Sequence, residues 1–126
     1  MPGNDEARSR KALANLINYY SEDVLLIGEA ADVHSGIDKI QKLEPDLVLL
    51  DVEMPDGNAF DLLRAFEEID FGIIFTTAHQ EYALQAIKYS ALDYLLKPVD
   101  PDELKAAIEK ASQSKKNELG IKLKTY

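Results

Sequence analysis

The chain has 126 residues, 46% of them apolar and 29% charged, which is enough for one domain with its own core and unlike collagenous, low-complexity or disordered compositions. With no cysteine and two histidines, disulfide scaffolds, thiol nucleophiles, cysteine zinc sites and iron–sulfur clusters are excluded. Fourteen basic against 23 acidic side chains leave a net charge of −9, which argues against direct binding to nucleic acid or to an anionic membrane and favours a cation.

Residues 7–21 carry Leu13, Leu16, Ile17 and Tyr20 at helical spacing and predict an amphipathic helix. Val24-Leu25-Leu26-Ile27 is a short continuous apolar run, as expected of a strand buried on both faces. Ile37, Ile40 and Leu43 mark a second helix that stops before Glu44-Pro45, because a residue preceding proline is biased away from helix. Leu47-Val48-Leu49-Leu50 predicts the next strand, ending in Asp51. A third helix follows on Phe60, Leu62, Leu63 and Phe66, then a strand Ile73-Ile74-Phe75 ending in Thr76-Thr77. A fourth helix is expected over residues 82–89, with Leu84, Ala86 and Ile87 as its apolar positions, and a strand Tyr94-Leu95-Leu96 ends in Lys97-Pro98. The last helix has Asp100 as cap, Pro101 in its first turn, Glu103 to complete a capping box, and Leu104, Ala107, Ile108 and Ala111 as its apolar face. Residues 113–120 are polar and read as a linker. No apolar run reaches about 18 residues and no basic n-region with an apolar h-region opens the chain, so a soluble, cytoplasmic protein is expected.

Strand–helix alternation predicts a doubly wound α/β fold, a parallel sheet with helices on both faces and all strand C-termini on one rim, where ligands bind. That rim collects the Asp51 carboxylate, the Thr76 and Thr77 hydroxyls and the Lys97 ammonium, with Asp5 and Glu6 at the start of the first helix. Each alone has a plain structural reading: an aspartate in a turn, threonines in a strand, a solvated lysine. Together they suggest more. Two adjacent carboxylates repel unless a cation lies between them, and oxygen ligands without imidazole suit magnesium. A lysine and a hydroxyl opposite would neutralise the oxygens of a transferring phosphoryl group, leaving the Asp51 carboxylate as nucleophile. No nucleotide-type phosphate loop is present.

Asn4-Asp5-Glu6, Leu47-Val48-Leu49-Leu50-Asp51-Val52-Glu53-Met54-Pro55, Phe75-Thr76-Thr77-Ala78 and Asp93-Tyr94-Leu95-Leu96-Lys97-Pro98, in that order, resemble the receiver domain of two-component response regulators. Asp51 to Pro55, His79-Gln80-Glu81-Tyr82-Ala83-Leu84-Gln85-Ala86 and Asp93 to Pro98 resemble most the regulators that carry a LytTR-type DNA-binding output domain. The resemblance implies a flavodoxin-like five-stranded sheet of order 2-1-3-4-5 and a receiver domain over residues 4–112. It implies that Asp51 accepts a phosphoryl group from a sensor histidine kinase, with Mg2+ held by Asp5, Asp51 and the backbone carbonyl of Glu53, and indirectly by Asn4. Thr77, the backbone N–H of Ala78 and Lys97 would bind the phosphoryl oxygens, Pro98 would follow a cis peptide, and Tyr94 would be an aromatic switch moving with Thr77. Tyr94 reads equally as a core aromatic, and His79 as a solvated loop residue, although the side chains at positions 53 and 79 influence acyl-phosphate hydrolysis in similar receivers.

Two departures stand out. Met1-Pro2-Gly3 replaces the first apolar strand, and Asn4 replaces the first of the usual acidic pair. Because a missing central strand would leave backbone groups unpaired, the alternating residues 121–126 are expected either to fill its slot, in a permuted or strand-exchanged arrangement that would make a homodimer, or to form a tail toward an absent output domain. The functional expectation is a signalling phosphoacceptor rather than a metabolic enzyme. The competing readings are a phosphorylation-incompetent interaction module and a haloacid-dehalogenase-like phosphatase, the latter opposed by Glu53 where a second aspartate is required.

Overall fold

The computed structural model describes Lys11 and residues 27–125, with side chains as far as Gln113. Asn4, Asp5, most of the helix expected over residues 7–21 and the strand positions 24–26 lie outside the described residues; Lys11 is helical, and Ile27 belongs to no regular element. Helix α1 (Val33–Leu43) is capped by Asp32, whose carboxylate accepts the Ser35 N–H at 2.8 Å. These Ser35 hydrogen bonds, the hydroxyl first and the backbone second, hold the Asp32 carboxyl below the ordinary aspartate value of 3.8. At its other end α1 stops at Leu43, as the Pro45 signal predicts, with Glu44 in the left-handed region at φ 48° and its N–H donating to Ile40 O.

Strands β1 (Leu47–Asp51), β4 (Gly72–Thr77) and β5 (Asp93–Leu96) pair in parallel in the order β1-β4-β5. Their side chains alternate between two cores, which is why continuous apolar runs were needed. Leu50, Ile73 and Phe75 face one core with Val33, Phe60, Leu62, Leu63 and Ala86. Ile74 and Leu95 face the other, built on Leu104, Ala107 and Ile108 of the last helix. Helices therefore cover both faces of a doubly wound α/β sheet.

Between β1 and β4 lie a two-residue hairpin, β2 (Glu53–Met54) with β3 (Gly57–Asn58), and helix α2 (Ala59–Arg64). The hairpin is too short for any period to announce. Gly57 adopts φ +155°, and a Cβ there would lie 2.8 Å from Asp61 Oδ2, so this position requires glycine. Asn58 caps α2 in a capping box with Asp61. Asp56, at the hairpin turn, accepts the N–H groups of Val33 at 2.7 Å and His34 at 3.1 Å, so it caps α1 from 23 residues away. Asp56→Ala should cost about 1–2 kcal/mol, the range of lost N-caps. Urea denaturation reads this directly, with Asp56→Asn retaining part of the effect through its amide oxygen.

Four expectations are corrected. The fourth helix is shorter, a 3₁₀ turn (Gln80–Tyr82) followed by α3 (Ala83–Lys88), and only Ala86 is buried. Leu84 and Ile87 are 76% and 71% exposed, because a six-residue helix presents one narrow stripe to the core and Tyr82, Ala86 and Tyr89 occupy it. Helix α4 runs Pro101–Thr125, so residues 113–120 are helical rather than a linker, and 121–125 are helical rather than a strand in the first slot. Lysine, glutamate and leucine favour helix there, and the isolated Gly120 costs only about 1 kcal/mol. At the start of α4 the Asp100 carboxylate accepts the N–H of Asp102 at 2.8 Å, the second helical position rather than the Glu103 position of a capping box. Among the described residues no helix is long and apolar enough to cross a membrane.

Candidate functional site

The C-terminal rim of the sheet is ordered by the register. Asp51 pairs with Thr76 across β1 and β4, and Thr77 with Leu96 across β4 and β5. The middle strand thus ends between the carboxylate and the lysine. Lys97 is pinned there by its N–H, which donates to Thr77 O at 2.8 Å, and the Lys97–Pro98 peptide is cis. From that position the Lys97 ammonium crosses the end of β4 and meets Asp51 Oδ2 at 2.6 Å, with the two side chains 26% and 33% exposed. Partial desolvation strengthens this charge-assisted bond while a solvent-facing side of the carboxylate stays open to an incoming group.

The other carboxylate oxygen, Asp51 Oδ1, accepts the Glu53 N–H at 3.3 Å. Thr77 is 1% exposed, and its Oγ1 accepts the His79 N–H at 3.1 Å, so the hydroxyl proton is directed elsewhere. Ala78 follows at the exposed rim and Thr76 is buried. Tyr94 packs its ring against the core of Phe60 and Phe75, as its reading as a core aromatic expects, and its hydroxyl donates to the His79 carbonyl oxygen. Burial, ahead of the opposing backbone hydrogen bond from Tyr82, pushes the Tyr94 hydroxyl above its ordinary value of 10.0, so it remains a proton donor throughout the neutral range. Glu53 and His79 side chains, read from sequence as separate neighbours of the site, meet at 2.9 Å between Oε1 and Nε2.

Asp51, Thr77 and Lys97 are therefore together, and Glu53, His79 and Tyr94 form a second ring around them. Asp5 and Asn4 lie outside the described residues. Among the described residues no cluster of three His, Asp or Glu side chains stands ready for a metal, but the Asp51 carboxylate and the neighbouring backbone carbonyls are hard oxygen donors, which fit magnesium rather than a softer ion. What the sequence did not announce are the bonds made by the His79 backbone and the cap from Asp56; a main-chain contact across the fold leaves no pattern in the residues that make it.

A family profile for the response regulator receiver domain matches residues 4–109. The sensory transduction protein LytT of Bacillus anthracis is 33% identical over 121 residues, covering 94% of this chain and 49% of the relative. The positive alginate biosynthesis regulatory protein of Pseudomonas aeruginosa is 36% identical over 118 residues, covering 92% and 48%. The chain thus spans about half the length of these curated relatives. Among solved structures, the response regulatory domain of protein mrkE from Klebsiella pneumoniae superposes with a TM-score of 0.76 at 25% identity, covering 84% of this chain and 88% of that one. The signal receiver domain of a putative Luxo repressor protein from Vibrio parahaemolyticus gives 0.74 at 26%, covering 88% and 90%. Sequence and fold agree on one family, and the chain belongs to the response regulator receiver domains, on the side of the LytT and alginate-regulator types.

Proposed function

We propose that Asp51 is a phosphoacceptor. A carboxylate oxygen of Asp51 attacks the phosphorus of a phosphohistidine on a sensor histidine kinase; the new O–P bond forms as the P–N bond breaks, and the imidazole leaves with the electron pair. The observation that carries this reading is the Lys97 ammonium 2.6 Å from Asp51 Oδ2, beside the buried Thr77. Lys97, the Thr77 hydroxyl and the N–H of Ala78 would bind the phosphoryl oxygens. Magnesium, when held by Asp5, Asp51 and the Glu53 carbonyl with Asn4 acting indirectly, would supply neutralising charge for the incoming phosphoryl group. Formation of the adduct would draw Thr77 inward and move Tyr94, changing the face of α3 and β5. In a longer protein of the LytT type that face would act on a DNA-binding output domain or on a second copy of the chain. On this reading the protein acts in the cytoplasm as a signalling module whose only chemistry is its own phosphorylation and dephosphorylation.

Intact-mass spectrometry after incubation with acetyl phosphate tests it. A single phosphoryl adduct that requires magnesium and vanishes in Asp51→Asn is expected. A folded protein that takes up none would mark an interaction module that no longer accepts phosphate.

A further inference from the structure

His79 makes a different bond with each of its three polar parts. Its N–H donates to Thr77 Oγ1 at 3.1 Å, its carbonyl accepts the Tyr94 hydroxyl, and its Nε2 meets Glu53 Oε1 at 2.9 Å. One residue thus joins the hydroxyl at the end of β4, the aromatic of β5 and the hairpin that follows Asp51. The two sides of this junction differ in rigidity. Glu53 stands on the β2–β3 hairpin, which Asp56 ties to the start of α1. The segment from Ala78 through Gln80–Tyr82 has only a 3₁₀ turn, a geometry with poor hydrogen bonds, so its position depends on its contacts. Those contacts include the His79 bonds, the backbone hydrogen bond from Tyr82 to the Tyr94 hydroxyl, and the Tyr82 ring, which lies edge-on to His79 at 6.3 Å and packs on Phe60. Glu81 Oε1 approaches His79 Nδ1 at 3.9 Å from the same turn and so tethers it to nothing outside.

We propose that the Glu53–His79 side-chain bridge is a latch that fastens this turn to the hairpin and thereby holds Tyr94 in the arrangement seen here. The inference rests on the phosphoacceptor reading and adds to it a regulatory element. A group added to Asp51 competes for the Glu53 N–H and pulls on the Thr77 hydroxyl by accepting its proton, while the same hydroxyl oxygen carries the His79 N–H, so both are links in the same ring of contacts. Strain at either link reaches Tyr94 through His79. With side chains 46% and 53% exposed, the bridge is worth the modest amount typical of a half-solvated pair, so cutting it should change the balance between Tyr94 arrangements roughly two- to fivefold.

His79→Ala removes the imidazole and keeps the backbone N–H and carbonyl, so it isolates the latch from the other two bonds. Ring resonances of Tyr94, assigned with Tyr94→Phe, are recorded in the full chain without and with acetyl phosphate and magnesium. In the unmodified protein, His79→Ala and Glu53→Ala should each move the Tyr94 signal in the same direction, toward the position it takes after phosphorylation. The double variant should move it no further, and His79→Gln, which can still bond Glu53, should restore most of the original position. A Tyr94 signal unmoved in both single variants, or single effects that simply add, overturns the latch. Absence of any adduct on the wild-type chain would instead overturn the Asp51 reading; the latch is then decided by whether Tyr94 moves, and moves non-additively, in the unmodified protein. Circular dichroism of each variant excludes loss of fold, since both side chains are at the surface.

Discussion

Lys97→Ala is expected to slow formation of the Asp51 phosphoryl adduct by about 10²-fold or more, the scale on which removal of one pre-aimed charge stabiliser acts in a transition state. The ammonium already sits 2.6 Å from the Asp51 carboxylate, so no rearrangement would be needed to bring positive charge to the oxygens of a phosphoryl group arriving there. The stability effect should be small by comparison. Both partners of the pair are about a quarter to a third exposed, and the Asp51 carboxylate freed of Lys97 can rehydrate while still accepting the Glu53 N–H. A loss of about 1 kcal/mol or less is therefore expected in urea denaturation. The two measurements separate sharply: intact-mass time courses with acetyl phosphate should collapse while the unfolding midpoint hardly moves. Equal rates in Lys97→Ala and wild type would remove the lysine from the chemistry. A collapse of folding instead would make the pair structural.

How much of this was written in the sequence depends on what each signal encodes. Strands β1, β4 and β5 were legible because burial on both faces demands unbroken apolar runs, and Leu47–Leu50, Ile73–Phe75 and Tyr94–Leu96 have them. The gathering of Asp51, Thr77 and Lys97 was legible too, since parallel strands must end on one rim. Helix α3 was misread in its orientation: Leu84, Ala86 and Ile87 are all apolar, and six residues give a periodicity too short to say which faces inward. Residues 121–125 failed for a related reason. Lysines alternating with Ile121 and Leu123 imitate a strand, but the same lysines are good helix formers, and a helix already nucleated at Pro101 extends at little cost per residue. The His79 ring of contacts was half legible. Its partners could be named, but the hydrogen bonds that join them run through backbone groups every residue possesses.

Phe60→Ala should have the largest effect on stability, about 3–5 kcal/mol, because it empties the centre of the larger core. The ring is 2% exposed and lies 5.3 Å from Phe75, 5.7 Å from Tyr89 and 6.3 Å from Tyr82, between α2 and the turn that carries His79. Around it Phe75, Leu62 and Leu63 are fixed by strand and helix, so the cavity can collapse little. Against a domain stability of about 5–15 kcal/mol, such a loss leaves a marginal protein. Leu84→Ala and Ile87→Ala form the control, since both side chains are mostly in water and each should change stability by no more than about 0.5 kcal/mol. Urea denaturation of the three variants decides between the two roles of apolar residues in this short stretch of chain. Comparable losses at Leu84 or Ile87 would mean that α3 is buried in solution and that the turn holding His79 packs against a different surface. The expected contrast would place the support of that turn in Phe60 and leave the outer face of α3 free to be read by a partner.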